Sequence, residues 1–432
     1  MTLTTAPRGT FDLMPQQALV WQWMESKIRD VLLSYGYGEI RTPIFEHTEL
    51  FQRGIGETTD IVEKEMYTLT DKGGRSLTLR PEGTASVVRA YIQHKLYGQA
   101  PVTKLFYIGP MFRQERPQAG RFRQFHQFGV EMIGEESPVA DAEVIILAHD
   151  LYCQLGLTAL EIHLNTVGCP ECRQEYKAAL TSALEAEAEA LCSTCRMRLV
   201  RNPLRLLDCK SPTCQEVISR VPSIHNYLCA DCRDHFDQVT TLLKQVGVKY
   251  KLSPKLVRGL DYYTRTVFEV INNDLGAQNA LCGGGRYDGL VAECGGPAVP
   301  GVGFASGIER LFTTLEQQGK IPELASGPQL YVLPLGEELT VVAFELATAL
   351  RRQGFSVEMG NGTKSLKAQL KTAHKAGAVY TLILGEDEWR ERQVTLKAMA
   401  DGSQKRLPAS GLLEEITELV SPRGPKVPLR EE

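Results

Sequence analysis

Residues 112–131 read FRQERPQAGRFRQFHQFGVE: four arginines interleaved with phenylalanines, divided by the turn-prone RPQAG and closed by Glu131. The 432-residue chain has a formal net charge of -4, so this positive charge is a local concentration, not a general property. Bulk attraction to nucleic acid is excluded as the organising principle, whereas a basic groove on an otherwise acidic molecule is not. Arginines most often decorate solvated faces. Aromatics set between them favour a site instead.

The length exceeds what one hydrophobic core organises and predicts two or three domains. With 43% hydrophobic and 23% charged residues the chain reads as globular. MTLTTAPRGTFDLMP at the start has neither a basic nor an apolar leader region, and no segment stays apolar for about 18 residues. A cytoplasmic protein without a membrane partner is therefore expected. Eleven cysteines, an odd number, then point to thiols or metal ligands and not to a disulfide framework.

Outward from the opening stretch, residues 16–35 show helical periodicity at Leu19, Trp23, Ile28, Val31 and Leu32, with Gly36 as the stop. From 37 to 134, short β-rich runs such as SLTLR and KLFYIG flank one helical stretch, GTASVVRAYIQHKL. Residues from Cys169 to about 250 are cysteine-rich and helical; β-type runs return at RTVFEVI, and a glycine-rich region leads into ASGIERLFTTLEQQ. LASGPQL, 324–330, reads as a linker. Beyond it, LYVLPL, LTVVAFELATALRRQ, FSVEM, SLKAQLKTAHKA and AVYTLIL alternate strand with helix, predicting a small parallel-sheet α/β domain. The expected fold is thus an α+β domain with an antiparallel sheet over 1–166 and 251–325, a helical cysteine-rich insertion over 167–250, an α/β domain over 328–420, and a tail over 421–432. GNGTKS at 360–365 imitates a phosphate loop, but Thr363 stands in the lysine's place, and a turn with a helix cap is the reading.

Phe112-Arg113-x-Glu115, the turn, and Arg121-x3-Phe125 resemble motif 2 of the class II aminoacyl-tRNA synthetases. An acidic residue is usual just past the phenylalanine; Gly129 stands there and Glu131 is the nearest carboxylate, a departure shared with the histidyl-tRNA synthetases. PGVGFASGIERL (300–311) resembles motif 3, and GYGEIRTPIFEHTELF (36–51), with Pro43, resembles motif 1, the dimer-interface element. LVRGLDYYTRTVFEV (256–270) and GGGRYDGL (283–290) are similar to the two histidine-specific motifs, with PRGTFD and TLRPEGTA completing the set. The resemblance implies a class II synthetase fold whose last domain binds the anticodon. It also implies ATP, L-histidine and tRNA(His) as partners, a homodimer, and the activity of histidine–tRNA ligation.

The chemistry explains the residue types. An anionic carboxylate must attack the α-phosphorus of anionic ATP, and fixed cations oppose the repulsion. Arginine holds two oxygens at once and does not lose its proton. By resemblance Arg113 takes the α-phosphate, Arg258 the carboxylate and α-phosphate, and Arg121 and Arg123 the outer phosphates. Arg310 and Phe125 would sandwich the adenine with Glu115 beside it, and Mg2+ would bridge phosphate oxygens. Glu82, Thr84 and Gln127 are the implied partners of the substrate amino group, and Glu131 with a tyrosine of the pair Tyr262 and Tyr263 those of the imidazole. In an alternating strand only one of that pair faces a pocket; by resemblance it is Tyr263. Buried polar partners at both edges of the ring supply discrimination on the order of 10⁴, so no editing domain is required.

On the RNA side, Arg116 and Gln118 are candidates for the acceptor end. Lys364, Lys367, Lys371 and Lys375 recur at helical spacing, which suits either an anticodon contact or a solvated face. Four close pairs, Cys169/Cys172, Cys192/Cys195, Cys209/Cys214 and Cys229/Cys232, have the spacing of structural zinc ligands, with free buried thiols as the other reading. The rival function is the non-catalytic regulatory paralogue of ATP phosphoribosyltransferase in histidine biosynthesis, which usually lacks the last domain and has eroded phosphate-binding motifs.

Overall fold

The computed structural model describes residues 4–56, 59–117, 120–273 and 280–424. The chain divides into two compact units, 1–322 and 323–432.

The first unit is built on an eight-stranded sheet in the order Gly38–Glu39, Thr103–Phe112, Gln124–Ile133, Gly301–Gly307, Ala280–Arg286, Thr264–Asn272, Leu160–Thr166, Tyr250–Leu252. All internal pairings are antiparallel; only the two edge strands run parallel to their neighbours. Strands 103–112 and 124–133 carry the opening stretch and pair from Thr103 with Ile133 to Phe112 with Gln124. Helices Pro15–Ser34 and Pro138–Gln154 contribute to the main core, the second capped by Ser137, whose Oγ accepts from Val139 N at 3.2 Å. The first helix buries Trp21, Met24, Ile28 and Leu32. Its phase therefore differs from the expected one: Trp21 faces the core, against Phe312 and His126, and Trp23 lies only partly buried at its edge. A separate three-stranded sheet of Phe45–His47, Ser76–Leu79 and Tyr67–Thr70 leaves Ile44, Phe45 and Leu69 exposed.

An ionic cluster lies inside the unit. Asp141 and Arg286 are both 0% exposed, with Nη2 to Oδ1 at 2.6 Å and Nε to Oδ1 at 2.9 Å. His235 Nε2 lies 2.5 Å from the other carboxylate oxygen, which also accepts from Thr266 at 2.6 Å. These contacts join helix 138–154, two central strands and helix Ala230–Gln245.

Between strands 160–166 and 250–252 the chain forms helices Pro170–Glu185, Ser193–Arg201, Pro212–Arg220 and Ala230–Gln245. They surround a small core of their own that includes Leu180, Leu184, Leu206, Ile218 and four of the cysteines.

The second unit has the sheet order Val357–Met359, Leu330–Pro334, Tyr380–Leu384, Gln393–Ala398, Gln404–Pro408. The first three strands are parallel, as helices Thr340–Arg352 and Leu366–Lys375 between them require. The three strands expected to form a parallel sheet do so, and two further strands extend it, each pairing antiparallel with its neighbour. Strands 393–398 and 404–408 are joined by a turn through Gly402 at φ 76°, too short for a parallel crossover. GNGTKS is a turn ending in a cap: Ser365 Oγ accepts from Ala368 N at 3.4 Å. The region taken as a linker already enters strand 330–334 at Leu330, and Arg423 donates to the carbonyls of Ala325 and Gly327 at 3.2 and 3.1 Å. Of the expected tail, residues 425–432 lie outside the described part. No helix among the described residues is long and apolar enough to cross a membrane.

Candidate active site

A cavity of about 450 Å³ opens over the centre of the large sheet. It gathers Arg113, Glu115, Arg121, Phe125, Gln127 and Glu131 from the opening stretch, and Glu82 and Thr84 from the start of helix Thr84–Gln93. Arg258, Tyr262 and Tyr263 join from the segment before strand 264–272, and Arg310 from helix Ile308–Gln317.

Glu131 lies at its base, 1% exposed. It accepts from Thr84 Oγ1 at 2.6 Å and from the Tyr287 hydroxyl. Burial pushes its pKa up to about 8, against the pull of those two donors and with the help of Glu82. Two close approaches require glycine here. A Cβ on Gly303 would lie 2.3 Å from Glu131 Oε2, and one on Gly129 only 2.4 Å from the Tyr107 hydroxyl. No acidic side chain fits at 129, which explains why the carboxylate stands two residues later. Glu82, 3% exposed, accepts from the N–H groups of Thr84 and Ala85 at 2.7 and 2.9 Å; burial nevertheless raises its pKa.

The cationic wall is equally built. Arg258 pairs with Glu269; burial pulls the arginine's pKa down, but Glu269 together with Tyr263, Cys282 and Tyr262 outweighs it and raises the pKa. A Cβ on Gly283 would meet its guanidinium at 2.0 Å. Arg113 lies over the Phe125 ring at 5.2 Å and donates to Pro81 O at 2.9 Å. Arg310 donates to Ala280 O at 2.5 Å, and burial together with the like charge of Arg121 lowers its pKa. Glu115 pairs with Arg121 at 3.1 Å. Gln127 Oε1 and Arg258 Nε are buried without a hydrogen-bond partner among the described residues. Such atoms in a cavity wall are what a polar ligand satisfies.

Arg123 is not brought into the cavity. Its main chain exchanges hydrogen bonds with Gly9 and Arg113 at 2.8 and 2.9 Å, and its side-chain Nε reaches Glu115 O at 3.4 Å. Arg116 is exposed on the loop, and Gln118 lies outside the described residues. Lys367, Lys371 and Lys375 are exposed on helix 366–375, and Lys364 precedes it.

Tyr262 and Tyr263 correct the one-of-two expectation. Both line the cavity with ring centroids 4.7 Å apart, because the segment is a turn and strand pairing begins only at Thr264. Sequence reasoning missed Tyr287, although GGGRYDGL contains it, and Glu269, within the quoted RTVFEV. It also missed Arg205 and Asp208, which reach the cavity from the cysteine-rich segment.

The four cysteine pairs form two groups. The first and last pairs combine as Cys169, Cys172, Cys229 and Cys232; the middle pairs combine as Cys192, Cys195, Cys209 and Cys214. Within each group the sulfur atoms lie within 4.8 Å of one another, a donor set able to hold a metal ion.

The pKa of Glu131 has a measurable consequence. Its ordinary value is 4.5 and its folded value about 8, so the fold binds the proton more tightly. The resulting stability is fully present below the ordinary value and is lost as pH rises through the folded one. Ligand-free protein should melt at progressively lower temperature from pH 5 to 8.5, roughly the interval this shift spans. Glu131→Gln should flatten that slope. Identical slopes in thermal unfolding of the two proteins would contradict the assignment.

A family model described as histidyl-tRNA synthetase matches residues 9–311, and one described as an anticodon binding domain matches 329–419. The chain is 53% identical to the histidine–tRNA ligase of Halothermothrix orenii over 416 residues, 96% of this chain and 99% of that one. It is 53% identical to that of Desulforamulus reducens over 405 residues, 94% and 97% of the respective chains. A crystal structure of apo S. aureus histidyl-tRNA synthetase superposes with a TM-score of 0.81 at 38% identity, covering 96% of this chain and 99% of that one. Glycines that clear space for Glu131 and Arg258, a cavity walled by arginines, and matches along nearly the whole length converge: the chain belongs to the histidyl-tRNA synthetase family.

Proposed function

We propose that the protein activates L-histidine with ATP to histidyl-adenylate, releasing pyrophosphate, and transfers the histidine to the terminal ribose of tRNA(His). The observation that carries this reading is a single cavity that sets buried Glu131 and Thr84 at its base against Arg113, Arg121, Arg258 and Arg310 in its wall. Arg258 and Arg113 hold the histidine carboxylate and the α-phosphate against each other. Arg310 and Phe125 flank the adenine, Glu115 lies beside it, and Arg121 takes the outer phosphates. Gln127, Glu82 and Thr84 receive the substrate amino group, while Glu131 and Tyr263 read the imidazole, with Tyr287 orienting the Glu131 carboxylate. The substrate amino group would give Gln127 Oε1 the donor it lacks, and the carboxylate would give Arg258 Nε an acceptor.

Magnesium arriving with the nucleotide fits oxygen ligands such as Glu115 and Glu269, both close enough to act electrostatically on Arg310. It would neutralise phosphate charge. Zinc on the grouped cysteines is the structural ion of the same reading. The catalytic domain comprises 1–166 and 251–325, the insertion 167–250, and the anticodon-binding domain 328–420, with Lys364, Lys367 and Lys371 facing tRNA and Arg116 and Gln118 at the acceptor end. Exposed Ile44, Phe45 and Leu69 support a homodimer through the 36–51 region. The protein is cytoplasmic on this reading. The regulatory paralogue is disfavoured because Arg113, Arg258 and Arg310 stand together in the cavity and residues 329–419 match an anticodon binding domain.

Pyrophosphate exchange measured with each of the twenty amino acids tests the assignment. Histidine alone should support it; exchange with another amino acid and none with histidine would refute it. Ending the chain at Pro322 should lower tRNA charging roughly 10²-fold while exchange stays within about threefold. Undiminished tRNA affinity would remove the anticodon role.

A further inference from the structure

The segment 256–263, which carries Arg258, Tyr262 and Tyr263, belongs to no strand or helix. Besides Asp261 N to Ile55 O at 3.1 Å and Asn165 Nδ2 to Leu256 O at 2.9 Å, its main chain is held by arginines from the cysteine-rich segment. Arg173 donates to Tyr263 O at 2.9 Å and to Asp261 O at 3.5 Å. Arg205 donates to Arg258 O at 3.3 Å and to Asp60 Oδ2 at 3.0 Å, and Arg198 shares that carboxylate oxygen at 2.7 Å. Asn202 adds a bond to Asp261 Oδ1 at 2.9 Å.

Arg173 and Arg205 each adjoin one cysteine group in the chain. Arg173 directly follows Cys172 of the outer group. Arg205 lies in the short turn Pro203–Asp208, which is bounded by Cys195 on the helix before it and Cys209 immediately after it, both of the inner group. The groups are nested in sequence, so the inner closes a loop inside the loop closed by the outer. The donor sets suit zinc: a tetrahedral thiolate site with Zn–S near 2.3 Å places sulfurs about 3.8 Å apart, compatible with the 4.8 Å limit within each group. Backbone N–H groups already point at sulfur: Cys229 N to Cys172 Sγ at 3.1 Å, and Cys192 N to Cys214 Sγ at 3.2 Å. The surrounding core is small, and small cores commonly depend on such staples.

We propose that the two groups bind one zinc ion each and that the two ions act as positioning elements, fixing Arg173 and Arg205 so that they hold the 258–263 main chain in its histidine-binding shape. This rests on the zinc reading above. The outer ion sets the Tyr263 end and the inner ion the Arg258 end. Metal loss then loosens the histidine side of the cavity more than the nucleotide side, whose Arg113 and Arg121 lie on the connection between strands 103–112 and 124–133 and whose Arg310 lies on helix 308–317.

Zinc should be counted by mass spectrometry on full-length protein purified without chelator, and histidine and ATP KM values measured by pyrophosphate exchange. The wild type should carry two zinc ions; Cys172→Ser and Cys195→Ser should carry one each. Histidine KM should rise about tenfold in both, with ATP KM within about twofold. Arg173→Met should retain both ions yet show the same rise, and Arg173→Lys should recover most of it. Should the cysteine variants fail to fold, the wild-type zinc count and the Arg173 variants still decide. Fewer than two zinc ions in the wild type, or an unmoved histidine KM in Arg173→Met, would overturn the proposal. A wild type with two ions but no histidine-dependent exchange would instead count against the synthetase reading.

Discussion

Arg258→Ala will lower histidine-dependent pyrophosphate exchange by about 10³-fold, chiefly in kcat, while leaving the fold intact. On the proposed reading the guanidinium sits where the histidine carboxylate and the α-phosphate meet, in a cavity it shares with Arg113, Arg121 and Arg310. Losing one preorganised cationic donor costs roughly 3–4 kcal/mol of transition-state stabilisation. Stability survives because Glu269, the partner left behind, keeps a quarter of its side chain exposed and can recruit water. Binding separates the role further. Histidine should lose affinity to the variant, whereas histidinol, which lacks the carboxylate, should bind both proteins alike. Unchanged exchange in a folded variant would remove Arg258 from the reaction.

The second large effect is on stability. Arg286→Met should destabilise the first unit by about 3–5 kcal/mol, because it leaves Asp141 buried with its charge only partly compensated. Burial alone would raise the Asp141 pKa, but His235 and Arg286 outweigh it and hold it below its ordinary value. That contribution is present above the ordinary carboxylate value and is lost as pH falls through the lowered one. The variant should therefore lose stability at neutral pH and gain little from it relative to acid. Replacing both partners, Asp141→Leu with Arg286→Met, should cost less than the single Arg286 change. Urea unfolding of the three proteins measures this; a double variant less stable than either single one would contradict it.

What the sequence made legible follows from where the constraint lies. Phe125 and Glu131 lie on strand 124–133, and Arg113 and Arg121 on the connection that joins it to strand 103–112, so a local pattern carries their chemistry. Arg258 and Arg310 were reached by resemblance to separate motifs, and the sheet brings them to the same cavity. Arg205 and Asp208 were invisible because they come from the cysteine-rich segment and enter the site only through tertiary packing. Helix 15–34 was found but its phase was not: VWQWM offers tryptophans at 21 and 23, and the choice is made by Phe312 and His126, far along the chain. Tyr262 and Tyr263 share the cavity because strand 264–272 starts one residue later than an alternating pattern assumes. The second unit's final hairpin, 393–398 with 404–408, lies beyond the strand and helix alternation that the sequence reading used.

A crystal structure with L-histidine and a non-hydrolysable ATP analogue bound together tests the central claim most directly. The account predicts the imidazole against Glu131, and the carboxylate and α-phosphate side by side between Arg113 and Arg258. Histidine bound elsewhere, or a nucleotide whose α-phosphate contacts neither arginine, would contradict it.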